Sequence, residues 1–156
     1  MNEKKLSRTN IGNSGEYFVA AELERRGFQT AILSNNCKNF DIIAYYIETD
    51  VPIFIQVKTT EGYKKQDKKK TKWLMSSCKD KGKMNNLFYV MVDLNYLYSP
   101  VYHIVPAKVV YNQTEKRHKE WKKIHLNSND NMREFFDTDN KYINNWELLI
   151  EYCKKN

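Results

Sequence analysis

The sequence has few of the residues that build zinc sites, disulfide frameworks or serine–histidine triads. Its three cysteines are scattered without a C-x-x-C pair, and its three histidines are equally dispersed. Neither a zinc ribbon nor a disulfide framework is therefore expected, and the thiols are predicted to be reduced. The chain also has no G-x-S-x-G motif, so a nucleophilic serine of that kind has no support.

Long apolar runs are absent as well. A transmembrane helix needs about 20 consecutive apolar residues, and no stretch of this chain approaches that length. The first ten residues, MNEKKLSRTN, are polar and have no hydrophobic stretch behind their charges, which argues against a secretory signal. We therefore expect a cytoplasmic protein without a membrane partner.

What the chain does have is enough apolar surface for a core, together with a strong positive charge. Of its 156 residues, 41% are hydrophobic and 13% are aromatic, which suits a single domain over residues 1–156 with a flexible tail at 1–10. The formal net charge of +7 favours a polyanionic partner such as nucleic acid. The alternative is a bias of composition, because an AT-rich genome also enriches Lys, Asn, Ile and Tyr.

Periodicity and turn signals predict alternating helices and strands. The segment 13–28 reads as a helix capped by Asn13 or Ser14, with Gly27 at its carboxyl end. Strands are predicted at 29–33, 40–47, 53–60, 73–76, 87–94 and 101–105, and further helices at 107–123 and 142–155. This pattern is typical of an α/β fold.

The strand IFIQVKTT, residues 53–60, places an amide and an ammonium on one face. Alternation puts Gln56 and Lys58 on the same side, about 7 Å apart. If the strands at 40–47 and 53–60 form a symmetric antiparallel hairpin, Ile43 lies opposite Gln56 and Asp41 opposite Lys58. Opposed side chains are about 5 Å apart, so Asp41 would reach both polar groups.

Glu16 adds a second carboxylate to this group. It lies one turn before Val19 and Ala20 and therefore points along the apolar stripe toward the sheet. A carboxylate aimed at a core is costly unless a partner satisfies it, and a divalent cation shared with Asp41 is one such partner. Two simpler explanations stay open: a capping box formed with Asn13, and an ion pair between Asp41 and Lys58.

In this order, Glu16 on a helix, Asp41 on a strand and Gln56-x-Lys58 on the next strand resemble the PD-(D/E)XK nuclease superfamily. The segments GEYFVAAELERRGF, NFDIIA and IQVKTT carry the resemblance, which extends from about residue 14 to residue 60. It implies a restriction-endonuclease-like α/β core: a central mixed β-sheet flanked by helices, with an N-terminal helix followed by an antiparallel hairpin. Phe40 replaces the usual proline, and Gln56 replaces the usual acidic residue.

The resemblance implies a metal-dependent endonuclease that hydrolyses phosphodiester bonds in DNA. Asp41, Gln56 and Glu16 would hold Mg²⁺ or Mn²⁺, and Lys58 would orient and activate the attacking water. A homodimer is a further expectation, since many enzymes of this shape cut two strands as dimers. Because Gln56 is neutral, a catalytically inactive nucleic-acid-binding domain on the same fold stays an alternative, as does a protein-interaction domain.

A lysine-rich loop follows the Gln-x-Lys strand. Its lysines would contact flanking phosphates without reading sequence, and two aromatic residues that bracket it would stack on bases. The predicted nucleic-acid-binding residues are Tyr63, Lys64, Lys65, Lys68, Lys69, Lys70, Lys72 and Trp73. The alternative is a solvated loop with no binding role.

Overall fold

The computed structural model describes residues 6–33, 39–61, 71–95 and 98–156. Its first element is helix α1, Arg8–Glu24, which begins at Ser7, whose hydroxyl accepts a hydrogen bond from the Asn10 backbone N at 3.1 Å. The predicted cap at Asn13 or Ser14 is therefore wrong, and residues 8–10 belong to the helix instead of a tail. Gly27 follows the helix with φ of 84°, a left-handed conformation that glycine adopts without steric cost.

Five strands form the central mixed sheet. In chain order they are β1 (Phe28–Ile32), β2 (Ile42–Tyr46), β3 (Pro52–Thr60), β5 (Leu87–Asp93) and β6 (Val101–Pro106), and this is also their order across the sheet. The pairs β1–β2, β2–β3 and β5–β6 are antiparallel, whereas β3–β5 is parallel. The expected α/β fold, with an N-terminal helix, antiparallel strands and a helix-flanked mixed sheet, is confirmed.

The register of β2 against β3 differs from the symmetric hairpin. Ile43 pairs with Phe54, and Ile42 pairs with Ile55, so Asp41 precedes the pairing opposite Gln56 and not opposite Lys58. The displacement is two residues. Because side chains alternate with a period of two, an even displacement leaves Asp41 on the face of Gln56 and Lys58.

Two hydrophobic cores cover the two faces of the sheet. On one face, α1 and helix α3 (Glu147–Lys155) pack against residues such as Ile55, Val57 and Val90. On the other face, helix α2 (Ala107–Ile124) and a small sheet of β4 (Trp73–Met75) and β7 (Arg133–Phe135) cover Leu87, Tyr89 and Met91. Gln56 belongs to this second face.

The chain after β7 departs from the sequence prediction. Helix α3 begins at Glu147 rather than at residue 142, because Asn144 has φ of 49° and its backbone N donates to the Tyr102 carbonyl at 2.7 Å. Left-handed backbone interrupts a right-handed helix. Over the residues that the structure describes, no helix is both long and apolar enough to cross a membrane.

Candidate active site

Asp41 lies just before the first residue of β2, and its carboxylate reaches across to β3. Its backbone N donates to the Ile55 carbonyl at 2.8 Å, which fixes the main chain at this point. Its side-chain Oδ2 accepts hydrogen bonds from the Gln56 amide nitrogen and from the Val57 backbone N, the latter at 2.6 Å. The Asp41 carboxylate thus accepts the Val57 backbone N–H of β3 at a point where β2 has not yet begun.

These contacts decide one alternative left open by the sequence. The partners of the Asp41 carboxylate are Gln56 and Val57, so the simple cross-strand ion pair with Lys58 is not formed among the described residues. Gln56 is only 5% exposed. A buried amide needs partners for both its oxygen and its nitrogen, and Asp41 supplies the partner of the nitrogen.

Glu16 reaches the same region because α1 approaches β3 unusually closely. A Cβ atom at Gly15 would lie 1.9 Å from the Thr59 hydroxyl oxygen, a distance that only glycine allows. Val19 and Leu23 continue the same face of the helix into the core. The helix is therefore held against the carboxyl end of β3, where β3 continues beyond its pairing with β2.

The electrostatics of Glu16 place it near both Asp41 and Lys58. Burial raises the pKa of the Glu16 carboxyl, the negative charge of Asp41 raises it further, and the positive charge of Lys58 lowers it. The capping-box explanation does not hold, since Asn13 lies inside α1 and not at its start. Glu16 is thus a partly desolvated carboxylate within electrostatic reach of a second carboxylate.

Lys58 lies toward the carboxyl end of β3, beside a cleft of about 250 Å³. Thr60, Lys72 and Leu74 are among the other residues that line the cleft. Lys58 also influences a second lysine, Lys81, whose pKa is lowered first by burial and then by the charge of Lys58. Asp41 and Gln56 are thus in direct contact on the face of the sheet that carries Lys58, and Glu16 lies within electrostatic reach of Asp41 and Lys58.

Lys81 was missed by the sequence analysis. Its ammonium donates to the Gln56 carbonyl oxygen, so the amide of Gln56 is bonded at both ends. Lys81 lies in a 3-10 turn, Lys81–Lys83, between β4 and β5. Its segment is a polar, lysine-containing loop in the sequence, and no local pattern separates this lysine from the exposed Lys83 two residues later.

The predicted nucleic-acid-binding residues have different outcomes. Trp73 is 2% exposed, and its indole N–H donates to the Val92 carbonyl at 3.1 Å, so the prediction that it stacks on bases is wrong. Its apolar ring fills the core beneath the small sheet. Lys72 forms an ion pair with Glu134 at 2.5 Å. Six of the predicted residues lie outside the described residues: Tyr63, Lys64, Lys65, Lys68, Lys69 and Lys70.

The donor groups fit a hard divalent cation, although with fewer acids than a three-carboxylate site. Among the residues that the structure describes, no cluster of three or more His, Cys, Asp or Glu residues is present. The described partners of Asp41 engage Oδ2 and leave Oδ1 for another ligand, and Glu16 provides a second carboxylate nearby. Mg²⁺ is commonly held by one or two carboxylates, with water and substrate phosphate as its other ligands.

Gln56 fits less simply as a ligand. As placed, its carbonyl oxygen faces Lys81 and its nitrogen faces Asp41. Coordination through the carbonyl would require the amide to turn over, which would direct its NH₂ group at the Lys81 ammonium. Two donors cannot bond each other. The two carboxylates are therefore the stronger part of the candidate metal site.

Comparisons with known proteins agree with the fold. Neither a protein family nor a curated protein matches this sequence. Among solved structures, the chain is similar to a bacterial homing endonuclease, I-Ssp6803I, with a TM-score of 0.57 and 13% sequence identity. The match covers 97% of this chain and 96% of that chain. At this identity the likeness establishes a shared fold.

Proposed function

We propose that this protein is a metal-dependent endonuclease that hydrolyses phosphodiester bonds in DNA. The proposal is supported chiefly by one observation: Asp41 and Gln56 are bonded to each other, and Glu16 and Lys58 are their electrostatic neighbours, at one end of the sheet. This is the set of side chains that the resemblance to the PD-(D/E)XK superfamily singles out, with Gln56 at the position of an acid. The fold similarity to a homing endonuclease supports the same class of substrate.

In this proposal Asp41 and Glu16 hold Mg²⁺ or Mn²⁺. The cation supplies Lewis-acid chemistry when bound, which polarises the phosphodiester and makes water more acidic. The ammonium of Lys58 stabilises the negative charge that grows on the phosphate oxygens in the transition state. Gln56 orients the Asp41 carboxylate through its amide nitrogen.

The net charge of +7 supports a nucleic-acid partner. The cleft beside Lys58 is open enough, at about 250 Å³, to admit part of a backbone, and Lys72 also lines it. One such site cuts one strand at a time. If the protein cuts both strands of a duplex, we propose that it does so as a homodimer with two sites. Sedimentation with and without a DNA duplex measures the oligomeric state.

The test is a cleavage assay over duplex, branched and single-stranded DNA, with Mg²⁺ and with Mn²⁺. Asp41→Ala and Lys58→Ala are expected to abolish nicking while leaving DNA affinity close to that of the wild type. Lys108→Ala, a change in the exposed part of α2, is the matched control and should cut normally. A Lys58→Ala protein that cuts as well as the wild type would rule out the assigned role of Lys58.

A second candidate is a nucleic-acid-binding domain on the same fold without catalysis. The engagement of both ends of the Gln56 amide by Lys81 and Asp41 favours it, since the carbonyl oxygen is then already bonded. It predicts no cleavage of any substrate in the panel and no heat of Mn²⁺ binding in calorimetry. Clear Mn²⁺ binding that disappears in Asp41→Ala would count against it.

A further inference from the structure

The 3-10 turn that carries Lys81 is anchored from two sides. Gly82 packs against α2 so closely that a Cβ atom there would lie 2.6 Å from Cβ of Tyr111. The Gly82 backbone N donates to the Cys78 carbonyl at 2.9 Å. Since the backbone of the turn is held next to α2, the point from which the Lys81 side chain extends toward Gln56 is set by the fold.

Lys81, Gln56 and Asp41 form a continuous chain of hydrogen bonds. The Lys81 ammonium donates to the Gln56 oxygen, the Gln56 nitrogen donates to Asp41 Oδ2, and that same oxygen accepts the Val57 backbone N–H. An amide is polar but uncharged, so its two ends suit a cation on one side and an anion on the other. The two charged neighbours therefore select one of the two orientations of the Gln56 amide.

Gln56 is buried, which makes the choice of orientation energetically important. Without Lys81, its carbonyl oxygen would lose the described partner while the residue, 5% exposed, stays covered. A buried acceptor left without a partner carries a large desolvation cost. The amide would then be free to rotate or to form a hydrogen bond with water, and the Asp41 carboxylate would lose the Gln56 NH₂ group as a fixed donor.

We propose that Lys81 is a positioning residue of the candidate site: it fixes the orientation of the Gln56 amide and, through it, the Asp41 carboxylate. The importance of this for catalysis rests on the proposed function, whereas the hydrogen-bond chain itself does not. Lys81 does not approach the substrate in this role.

The test uses the full-length protein without metal or DNA. The side-chain NH₂ signals of Gln56 are identified in a ¹⁵N–¹H spectrum by their loss in Gln56→Met, and their exchange with water is then measured. Lys81→Met should accelerate this exchange roughly tenfold or more, as expected when a charged hydrogen bond is lost. Lys81→Arg, which retains a charged donor, should restore part of the protection.

Lys83→Met is the matched control, because Lys83 lies in the same turn with a side chain that is 73% exposed. It should leave the Gln56 signals unchanged. Unaltered exchange in a folded Lys81→Met protein would overturn the proposal. If that variant does not fold, the wild type supplies the check: a coupling through the hydrogen bond between Lys81 Nζ and Gln56 Cδ is expected, and its absence at low temperature would overturn the proposal equally.

These outcomes are separable from those of the cleavage assay. A protein that never cuts DNA but shows the Lys81-dependent protection of Gln56 retains the positioning role and loses the proposed nuclease function. A protein that cuts DNA through Asp41 and Lys58, but whose Gln56 side-chain exchange is unchanged in Lys81→Met, retains the nuclease function and loses the positioning role.

Discussion

The close approach of α1 to β3 leads to a quantitative prediction for Gly15→Ala. The added Cβ atom would lie 1.9 Å from Thr59 Oγ1 and 2.9 Å from Thr59 Cβ. Ordinary contact begins near 3.4 Å, so if Thr59 keeps its rotamer the helix must move outward by about 1.5 Å (3.4 minus 1.9). Rotation of Thr59 can remove the hydroxyl from the contact but leaves its Cβ atom about 0.5 Å too close (3.4 minus 2.9).

The energetic consequence follows from two opposing effects. Overpacking of this kind costs about 1–3 kcal/mol, while replacing glycine by alanine inside a helix gains about 1 kcal/mol. Gly15→Ala should therefore lower the free energy of unfolding by up to about 2 kcal/mol. A Cβ atom at Gly12, one turn earlier in α1, would meet no other atom within 4 Å, so Gly12→Ala should show the gain in helix propensity alone.

Urea unfolding measures the free energy of unfolding of Gly12→Ala and of Gly15→Ala. The difference between the two variants gives the cost of the steric clash with Thr59, expected to be about 1–3 kcal/mol. Adding Thr59→Ala to Gly15→Ala should recover part of the loss, because it removes Oγ1 and Cγ2 and leaves only Cβ at 2.9 Å. Under the proposed function the outward movement also displaces Glu16, and cleavage should fall on the order of 10²-fold. Equal stabilisation by Gly12→Ala and Gly15→Ala would refute the close packing of α1 on β3.

Three further predictions follow from individual side chains. The pKa of Glu16 is raised above its ordinary value of 4.5, so the ionised carboxylate destabilises the metal-free fold. Glu16→Gln should therefore raise the unfolding temperature at neutral pH, and this advantage should shrink as the pH falls toward 4.5. An advantage that stays constant with pH would contradict this reasoning. His103→Phe removes the buried bond of 2.7 Å to Asp137 and should cost about 1–3 kcal/mol in urea unfolding; an unchanged midpoint would contradict it. Gln56→Glu should tighten Mn²⁺ binding in calorimetry, since a further carboxylate raises the ligand charge; weaker binding would count against a cation at this site.

The sequence predicted the face of the site better than its register. Side chains alternate with a period of two, so the two-residue displacement of β2 against β3 left Asp41 beside Gln56. Turn geometry decided the register, and alternation alone does not encode it. The start of α1 was misplaced because Asn13 and Ser14 look like caps locally, whereas Ser7 caps the helix in the fold.

Long-range contacts account for what the sequence analysis missed. Lys81 is 25 positions from Gln56 and bonds to it from a turn that Gly82 allows to pack closely on α2. Trp73, next to a lysine-rich segment, was predicted to stack on bases, but its ring packs against His103 and Phe135 instead. Neither placement follows from neighbours in the chain.

The central claim is that Glu16 and Asp41 share one divalent cation at the end of the sheet where Gln56 and Lys58 also lie. Crystals of the wild-type protein soaked in Mn²⁺, with anomalous diffraction data, locate such an ion directly. We predict a single anomalous peak within coordination distance of a carboxylate oxygen of Glu16 and of Asp41 Oδ1, and no such peak in Asp41→Ala crystals. A wild-type crystal in which Mn²⁺ binds elsewhere, with these two carboxylates uncoordinated, would contradict it.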